Sequence, residues 1–298
     1  MGRLVPSGAT ERFVQVAEGQ VRVLEGGAGD GGRTPVFLIH GGGTDNAGIS
    51  WFRAFAELGV DRRVVAVDLP GFGASRDIPP LGGPERMADF VVRVAQRLGV
   101  DHAAVVGVSM GGDIALNVAL RSADFVKALV LISPGGLAER VGGPVTHFFA
   151  WLGAKLPDAI LLPLTRVANR FTRAALKAMV SDVTTLPSEV VDEFVREASA
   201  PGAGIGYGRY NQATLARTHL RNNLLPRVHE ITAPTLFFHG ASDPMVRPED
   251  SQAATQRMPR AMLVLVPGVG HWGQLEAHER FTSEVRAFLS DVDDQRSR

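Results

Sequence analysis

The sequence contains a serine flanked by glycines, Gly107-Val-Ser-Met-Gly111, between an apolar run at residues 103–106 and a segment with helical apolar spacing at residues 110–121. In such a context the glycines permit a cramped strand-to-helix turn that projects the serine oxygen from the edge of a sheet. The alternative is a glycine-rich turn whose serine is incidental. Because a strand pattern precedes the motif and a helix pattern follows it, we predict that Ser109 is a nucleophile.

A serine nucleophile needs an adjacent base and a third group that orients the base. His271 follows the last apolar run of the chain, and Asp243 follows the run before it. We predict His271 as general base and Asp243 as the orienting acid; Asp250 is the weaker candidate, because an acidic residue at a helix start is explained by the helix dipole. The remaining histidines are interpreted as loop or surface residues (His40, His102, His239, His278) or as part of an inserted segment and its edge (His147, His219, His229).

An acyl-transfer site also needs hydrogen-bond donors aimed at the developing oxyanion. The glycines of His40-Gly-Gly-Gly43, just after the apolar run at residues 36–39, let backbone N–H groups approach a substrate oxygen closely. We predict an oxyanion hole formed by the N–H groups of Gly42 and Met110, with Gly41 as a substrate contact. A phosphate-binding glycine loop is disfavoured, because no Lys-Ser/Thr follows and no G-x-G-x-x-G opens a helix.

The elements that must position these groups alternate between strand and helix. Continuous apolar runs, typical of strands buried on both faces, occupy residues 36–40, 64–68, 103–107, 128–133, 235–240 and 262–267. Helical spacing occupies residues 50–58, 84–98, 110–121 and about 275–289. A hairpin at residues 13–17 and 21–25 precedes them, and the polar tail 291–298 is expected to fray. The alternation predicts an α/β fold with a parallel sheet covered by helices.

The strand pattern lapses between residues 136 and 227. Large apolar residues separated by prolines indicate a helical insertion there. Phe148, Phe149 and Trp151 are candidates for lining a substrate chamber, although apolar residues at helical spacing are more often core.

Composition excludes several classes of protein. The 298 residues are 45% hydrophobic, enough for one large domain with an insertion, and 31 basic residues balance 31 acidic ones without clustering. Nucleic-acid and membrane partners are therefore not expected. The absence of cysteine excludes disulfides, thiolate metal sites and cysteine nucleophiles, and neither metal nor cofactor is expected. Because no signal-peptide pattern opens the chain, we expect a soluble, cytoplasmic enzyme with a small-molecule substrate; homo-oligomerisation stays open.

Four motifs occur in an order that resembles the α/β-hydrolase family: His40-Gly-Gly-Gly43, Asp68-Leu-Pro-Gly-Phe-Gly-Ala-Ser75, Gly107-Val-Ser-Met-Gly-Gly112 and Gly270-His-Trp-Gly-Gln-Leu-Glu276. The resemblance covers nearly the whole chain. It implies a mostly parallel eight-stranded sheet with helices on both faces, a core domain at residues 1–135 and 228–298, and a helical cap at residues 136–227 over the active site. Ser109 argues against the dehalogenases and epoxide hydrolases of this family, which use Asp at that position.

Within the family, His40-Gly-Gly-Gly43, Pro134-Gly-Gly-Leu137 and His271-Trp-Gly-Gln274 resemble the meta-cleavage-product hydrolases, which split a carbon–carbon bond in vinylogous 1,5-diketones. This chain departs from them at two positions. Those enzymes usually carry Asn where this chain has Val108, and a cap arginine for the substrate carboxylate where it has Phe194. Arg196 lies two residues away, about 200° around a helix. Phe194 and Trp272 are candidates for substrate contact, and Trp272 is equally well explained by packing against the last helix.

Three functions stay open. The first is hydrolysis of a small apolar ester or lactone through an acyl-enzyme, and the second is carbon–carbon hydrolysis of a dienone acid. The third is a catalytically silent member of the fold that binds a small ligand, which an intact triad and oxyanion loop disfavour. Transfer of other acyl groups, from thioesters or amides, is a further alternative.

Overall fold

Eight strands form a single sheet in the computed structural model, which describes residues 2–29 and 32–296. The strands are β1 (Ala9–Val16), β2 (Gly19–Gly27), β3 (Val36–Ile39), β4 (Arg63–Val67), β5 (Ala103–Val108), β6 (Val126–Ile132), β7 (Thr235–Gly240) and β8 (Ala261–Val266). Their order across the sheet is β1-β2-β4-β3-β5-β6-β7-β8. β3 to β8 run parallel, whereas β1 and β2 form an antiparallel hairpin that joins the sheet at β4. The predicted α/β-hydrolase architecture is confirmed.

Twelve α-helices accompany the sheet: α1 (Ala47–Ser50), α2 (Ala54–Leu58), α3 (Pro84–Arg97), α4 (Met110–Arg121), α5 (Pro144–Ala154), α6 (Asp158–Ala168), α7 (Thr172–Met179), α8 (Ser188–Ser199), α9 (Ile205–Thr214), α10 (Pro248–Thr255), α11 (Gly273–Glu276) and α12 (His278–Arg296). The count of twelve helices covers the residues that the structure describes. Short 3₁₀ turns lie at Gly73–Ser75, Ala123–Phe125, Asn169–Phe171, Val183–Thr185 and Val228–Glu230.

Apolar side chains of the sheet alternate between two cores, one on each face. Phe37, Val65 and Val105 pack toward α3 and α4 on one face. Their neighbours Leu38 and Val106 pack toward α1, α2 and α12 on the other. Because successive side chains of a strand point to opposite faces, a continuous apolar run is what a two-sided core requires.

Two predicted helices are interrupted. The helix predicted at residues 50–58 is two short ones, because the N–H of Trp51 closes α1 by donating to the carbonyl of Ala47 and the chain turns before Ala54. The helix predicted at 275–289 begins at α11 and breaks at Ala277.

The prediction of a frayed tail at residues 291–298 is wrong as far as Arg296, where α12 ends. Val292 is buried in the core, and Asp293 accepts a hydrogen bond from the hydroxyl of Thr34 at 2.6 Å. Residues 297 and 298 lie outside the described part of the chain.

Helices α5 to α9 all lie between β6 and β7 in the sequence. They touch the loops at the carboxyl edge of the sheet: the ring of Tyr207 lies against Gly42, and the N–H of His271 donates to the carbonyl of Met179 at 2.9 Å. That this segment is a separate cap domain with boundaries at 136 and 227 stays a prediction.

Candidate active site

Ser109 occupies a strained turn between β5 and α4. Its φ and ψ are 54° and −117°, and Ser109 and Ser133 are the two non-glycine residues with positive φ in the described chain. Side chains at the neighbouring glycines would not fit, because a Cβ on Gly107 would lie 2.2 Å from the carbonyl oxygen of Gly111, and a Cβ on Gly111 would lie 2.2 Å from that of Ile39. A conformation of this kind costs about 1–3 kcal/mol and persists where the surrounding structure enforces it. The turn therefore holds Ser109 at the carboxyl edge of the sheet.

His271 and Asp243 meet on loops that follow β8 and β7. Nδ1 of His271 lies 2.8 Å from Oδ2 of Asp243, and both side chains are almost fully buried. The other carboxylate oxygen, Oδ1, accepts from the N–H groups of Met245 and Val246 at 2.8 and 3.0 Å. Since an ionised carboxylate only accepts hydrogen bonds, Nδ1 of His271 carries the proton and Nε2 presents its lone pair.

The pKa of Asp243 is shifted by opposing effects. Burial alone would raise the pKa, but hydrogen bonds from His239 and His271 hold it well below its ordinary value. Asp243 is therefore ionised at neutral pH and able to stabilise a positive charge on His271.

His239 is a functional residue that the sequence analysis missed. Its interpretation as a loop or surface histidine is wrong: it is fully buried at the end of β7, with Nε2 3.2 Å from Oδ2 of Asp243 and 3.1 Å from the carbonyl oxygen of Val246. Nδ1 lies 2.8 Å from the hydroxyl of Ser251. With two acceptors around Nε2, that nitrogen is the donor, so His239 holds the same oxygen of Asp243 that His271 contacts. No sequence motif marks it, because its role depends on a contact across a loop.

Strand pairing brings the three loops together. The N–H of Ser109 donates to the carbonyl of Ile132 on β6, that of Ser133 to Phe238 on β7, and that of Ala241 to Val266 on β8. Ser109, Asp243 and His271 thus follow β5, β7 and β8, which end at the same edge of the sheet with β6 between the first two. In the described chain Oγ of Ser109 and Nε2 of His271 form no hydrogen bond with each other or with any other residue, so the structure joins His271 to Asp243 but does not show the contact with Ser109.

The glycine loop after β3 lies against the serine. A Cβ on Gly41 would be 3.7 Å from Cβ of Ser109. The N–H of Gly41 already donates to Oδ2 of the buried Asp45 at 2.9 Å, which holds the loop, whereas the N–H groups of Gly42 and Met110 have no partner among the described residues. The two predicted oxyanion donors are therefore available, and the amide of Gly41 is not.

His40, which opens this loop, was also interpreted as a loop or surface residue, and that is wrong. Its ring is fully buried, packs edge-on against Phe72 with centroids 5.1 Å apart, and accepts at Nε2 from the N–H of Leu69 at 3.0 Å. The histidine is a structural support of the loop.

Two cavities are bordered by Tyr207, whose ring lies against Gly42. One, of about 220 Å³, lies between α6, α9 and residues Gly43 and Thr44. The other, of about 320 Å³, lies between α5, α6 and α9. Neither is lined by Ser109 itself. Apolar side chains such as Leu161 and Ile205 dominate the first, and its one cation, Arg209, is held by both carboxylate oxygens of Asp158.

The remaining predicted contact residues lie elsewhere than in these two cavities. Phe148 and Trp151 pack together on α5 with ring centroids 5.6 Å apart, and Phe149 is 63% exposed. Phe194 is buried and packs edge-on against Trp272 at 5.3 Å, which ties α8 to the loop of His271. The structure thus brings Phe194 and Trp272 close to the base and turns Phe149 outward.

Arg196 does not face a cavity. Its guanidinium pairs with the buried carboxylates of Glu193 and Glu197. Glu193 also accepts from the side chain of Asn46, and Glu197 pairs with Arg3 and Arg76, so the arginine belongs to an ion-pair network between α8 and the core. The described chain also contains no group of three or more His, Asp or Glu side chains that could hold a metal ion.

The strand order, the strained serine turn and the Asp–His pair define a class of protein. Residues 34–278 match the family described as alpha/beta hydrolase fold, and the chain belongs to that family. It is a hydrolase.

Proteins similar to this chain carry different names. The chain is 31% identical, over 94% of its length and 96% of the relative, to a 2-hydroxy-6-oxononadienedioate/2-hydroxy-6-oxononatrienedioate hydrolase of Burkholderia vietnamiensis. It is 29% identical to the acetyltransferase component of an acetoin cleaving system of Pseudomonas putida, of whose length it spans only 64% and which covers 88% of this chain. Among solved structures, a bacterial membrane phospholipase A superposes with a TM-score of 0.78 at 27% identity, over 96% of this chain and 87% of that one.

No single helix in the described residues has both the length and the apolar character needed to cross a membrane. Two successive helical segments, Pro144–Ala154 and Asp158–Met179, are long and apolar enough only when they are taken together, and the chain bends by 115° between them. Cytoplasmic location stays a prediction.

Proposed function

We propose that this hydrolase cleaves a small, neutral, apolar ester through an acyl-enzyme, with Ser109 as nucleophile, His271 as general base and Asp243 as the orienting acid. In this proposal α5 to α9 are the cap over the site. The reaction class is supported by the strained turn at Ser109 and by the 2.8 Å contact between His271 and Asp243.

In the first half of the reaction Oγ of Ser109 attacks the ester carbonyl carbon and its proton passes to Nε2 of His271. The negative charge that develops on the carbonyl oxygen is stabilised by the N–H groups of Gly42 and Met110, the second at the N-terminus of a twelve-residue helix. The tetrahedral intermediate collapses when His271 returns the proton to the leaving alcohol. Water then repeats the sequence on the acyl-enzyme and releases the acid.

The neutrality of the substrate is supported by one observation, the pairing of Arg209 with Asp158. These are the only charged residues around the cavity beside the glycine loop in the described chain, and they neutralise one another. Arg196, the other cationic candidate, is bound to two glutamates. A substrate carboxylate would therefore enter an apolar chamber without a free cation, and leaving a charge unpaired in such a site is costly.

Carbon–carbon hydrolysis of a dienone acid is the second candidate. It is favoured by the 31% identity to a dienedioate hydrolase over 94% of the chain. The same serine, base and oxyanion donors would serve it, but a carboxylate-binding cation would have to come from a rearranged Arg209 or Arg196.

The nucleophile is tested with a fluorophosphonate probe, which should label the wild type and not Ser109→Ala. Ser133→Ala is a matched control, since Ser133 is a buried serine with positive φ at the end of the adjacent strand, and it should label normally. A folded wild type that does not label would support the non-catalytic alternative.

The substrate class is tested by turnover. Wild type should hydrolyse short-chain p-nitrophenyl esters and not dienone acids, and His271→Ala should lower the ester rate on the order of 10⁶-fold. Turnover of dienone acids without ester turnover would favour the second candidate.

A further inference from the structure

Two neighbouring helices, α5 and α6, carry apolar stripes that face outward. Val145, Phe149 and Leu152 of α5 are 70, 63 and 44% exposed. From α6 into the turn that follows it, Ile160, Leu164, Val167 and Phe171 are 49, 53, 51 and 66% exposed. Spacings of three and four residues place each set on one side of its helix. These seven residues are called the outer apolar surface below.

Other faces of the same helices line the two cavities. Leu161 and Thr165 of α6 line the cavity beside the glycine loop, and Ala150 and Ala154 of α5 line the other cavity. A soluble helix normally turns one apolar stripe inward and a polar face to water. These two helices are apolar on both sides. Burial in the core therefore does not explain why the residues of the outward stripes are apolar.

Basic residues lie in the same segment of the chain as the outer apolar surface, at the end of α5, on α6, just after it and on α7. Lys155, Arg166, Arg170 and Lys177 are exposed, and no carboxylate in the described chain lies within ion-pair distance of them. Residues 141–180 contain five basic residues and one acidic residue, Asp158, which is paired with Arg209. The segment is thus strongly positive although the whole chain is neutral.

We propose that the outer apolar surface docks on an anionic lipid surface. The large apolar side chains would enter the boundary between headgroups and acyl chains, about 5–10 Å deep. The basic residues would meet the headgroup phosphates, as amphipathic helices with Lys or Arg on their polar side do. The balanced net charge of the chain predicts no membrane partner. Net charge, however, is a sum over the whole surface, whereas docking depends on the charge of one face.

A second copy of the chain is a poorer occupant. A two-fold contact buries the same patch of both copies, so the basic residues Lys155, Arg166 and Arg170 of both copies would be brought to one interface. Like charges brought together at an interface are strongly unfavourable. An anionic lipid surface covers the same apolar side chains and neutralises the charges.

Docking in this way would place the two cavities next to the lipid surface. α6 would have lipid on its outer side and the cavity of about 220 Å³ on its inner side. An apolar molecule dissolved in the lipid would therefore be concentrated close to that cavity. The docking itself does not depend on the ester proposal, because it requires only the surface.

The experiment is co-flotation of the full chain with vesicles. Wild type should float with vesicles of phosphatidylcholine and phosphatidylglycerol in equal amounts and stay unbound with phosphatidylcholine alone. The double variant Phe149→Ser/Leu164→Ser should reduce the bound fraction about tenfold or more, since burying each apolar side chain contributes strongly. Arg166→Glu/Arg170→Glu and salt of about 1 M should reduce it similarly.

The matched control is Phe13→Ser/Val60→Ser, which removes two apolar side chains exposed to 49 and 61% elsewhere on the molecule. The control should bind like wild type, and all variants should keep the wild-type melting temperature because the replaced side chains are exposed. No flotation of folded wild type, equal binding to neutral vesicles, or equal loss in the control would overturn the proposal. So would a stable dimer that dissociates in Phe149→Ser/Leu164→Ser without any binding to vesicles.

Discussion

Replacing Asp113 with Asn should remove a pH dependence of stability that comes from one buried carboxyl on α4. Asp113 lies in the first turn of α4 and is fully buried. It accepts hydrogen bonds from the hydroxyl of Tyr210 at 2.7 Å and from the side-chain amides of Asn222 and Asn117 at 2.6 and 3.1 Å. Burial prevails over these three donors and raises the pKa of the carboxyl from 3.8 to about 7.

The sign of the effect follows from proton binding. Because the folded state holds the Asp113 proton up to about pH 7 and the unfolded state loses it near pH 4, the folded state binds more protons between these values. Stability therefore falls as the pH rises through this window and is constant above it. A rise of about three pKa units corresponds to about 4 kcal/mol.

In the Asp113→Asn variant the side chain is uncharged at every pH, so the variant does not lose stability as the pH rises through this window. The buried Oδ1 of Asn222 has no hydrogen-bond partner in the described chain, so a rotated Asn222 amide can accept from the new one. Urea unfolding of wild type and variant at several values between about pH 4 and pH 8 should give a stability difference that grows by about 4 kcal/mol in favour of the variant.

Asp89→Asn provides the control with the opposite sign. Asp89 is exposed and its pKa is lowered by the hydrogen bond from Arg121, so its small contribution is lost as the pH falls. A difference between wild type and Asp113→Asn that stays constant with pH would refute the reasoning. It would mean that the three hydrogen-bond donors, rather than burial, set the ionisation of Asp113.

Two further substitutions test the site and its support. Gly42→Ala would place a Cβ 2.4 Å from Cε2 of Tyr207, so ester turnover should fall about 10²- to 10³-fold; Tyr207→Ala in the same chain should restore part of the rate, and a fully active Gly42→Ala would contradict the assignment of this loop. Phe194→Ala should lower the free energy of unfolding in urea by about 3–5 kcal/mol, because the buried ring packs on Trp272. Phe149→Ala, at an exposed ring, should change it by no more than about 0.5 kcal/mol, and equal costs would show that the ring contact is unimportant.

The serine turn and the strands that precede the predicted site residues could be located from sequence because these features are local. The glycines at 107 and 111 are required by a turn of five residues, and the apolar runs before Ser109, Asp243 and His271 identify three strands whose ends must share one edge. The order of serine, acid and base along the chain then left few other candidates for the acid and the base. These features depend on neighbours within a few positions, which a sequence displays directly.

The supporting residues could not be identified in the same way. His239 and His40 are spaced like loop residues, yet both are buried, one on the acid and the other beneath the glycine loop. The position of Arg196 in the sequence makes it a candidate for binding a carboxylate, but its guanidinium is paired with Glu193 and Glu197. Each role depends on side chains that are distant in sequence, and periodicity carries no information about them.

The sequence by itself determined the alternation of strand and helix and the position of the serine turn, and it predicted the Asp243–His271 pair, because sterics and hydrophobic periodicity act over short stretches of chain. Only the tertiary structure decided which charges are neutralised, which apolar stripes of α5 and α6 face outward and which histidine anchors Asp243. Burial and pairing are properties of the assembled surfaces, and a residue acquires them only when distant segments are packed against it.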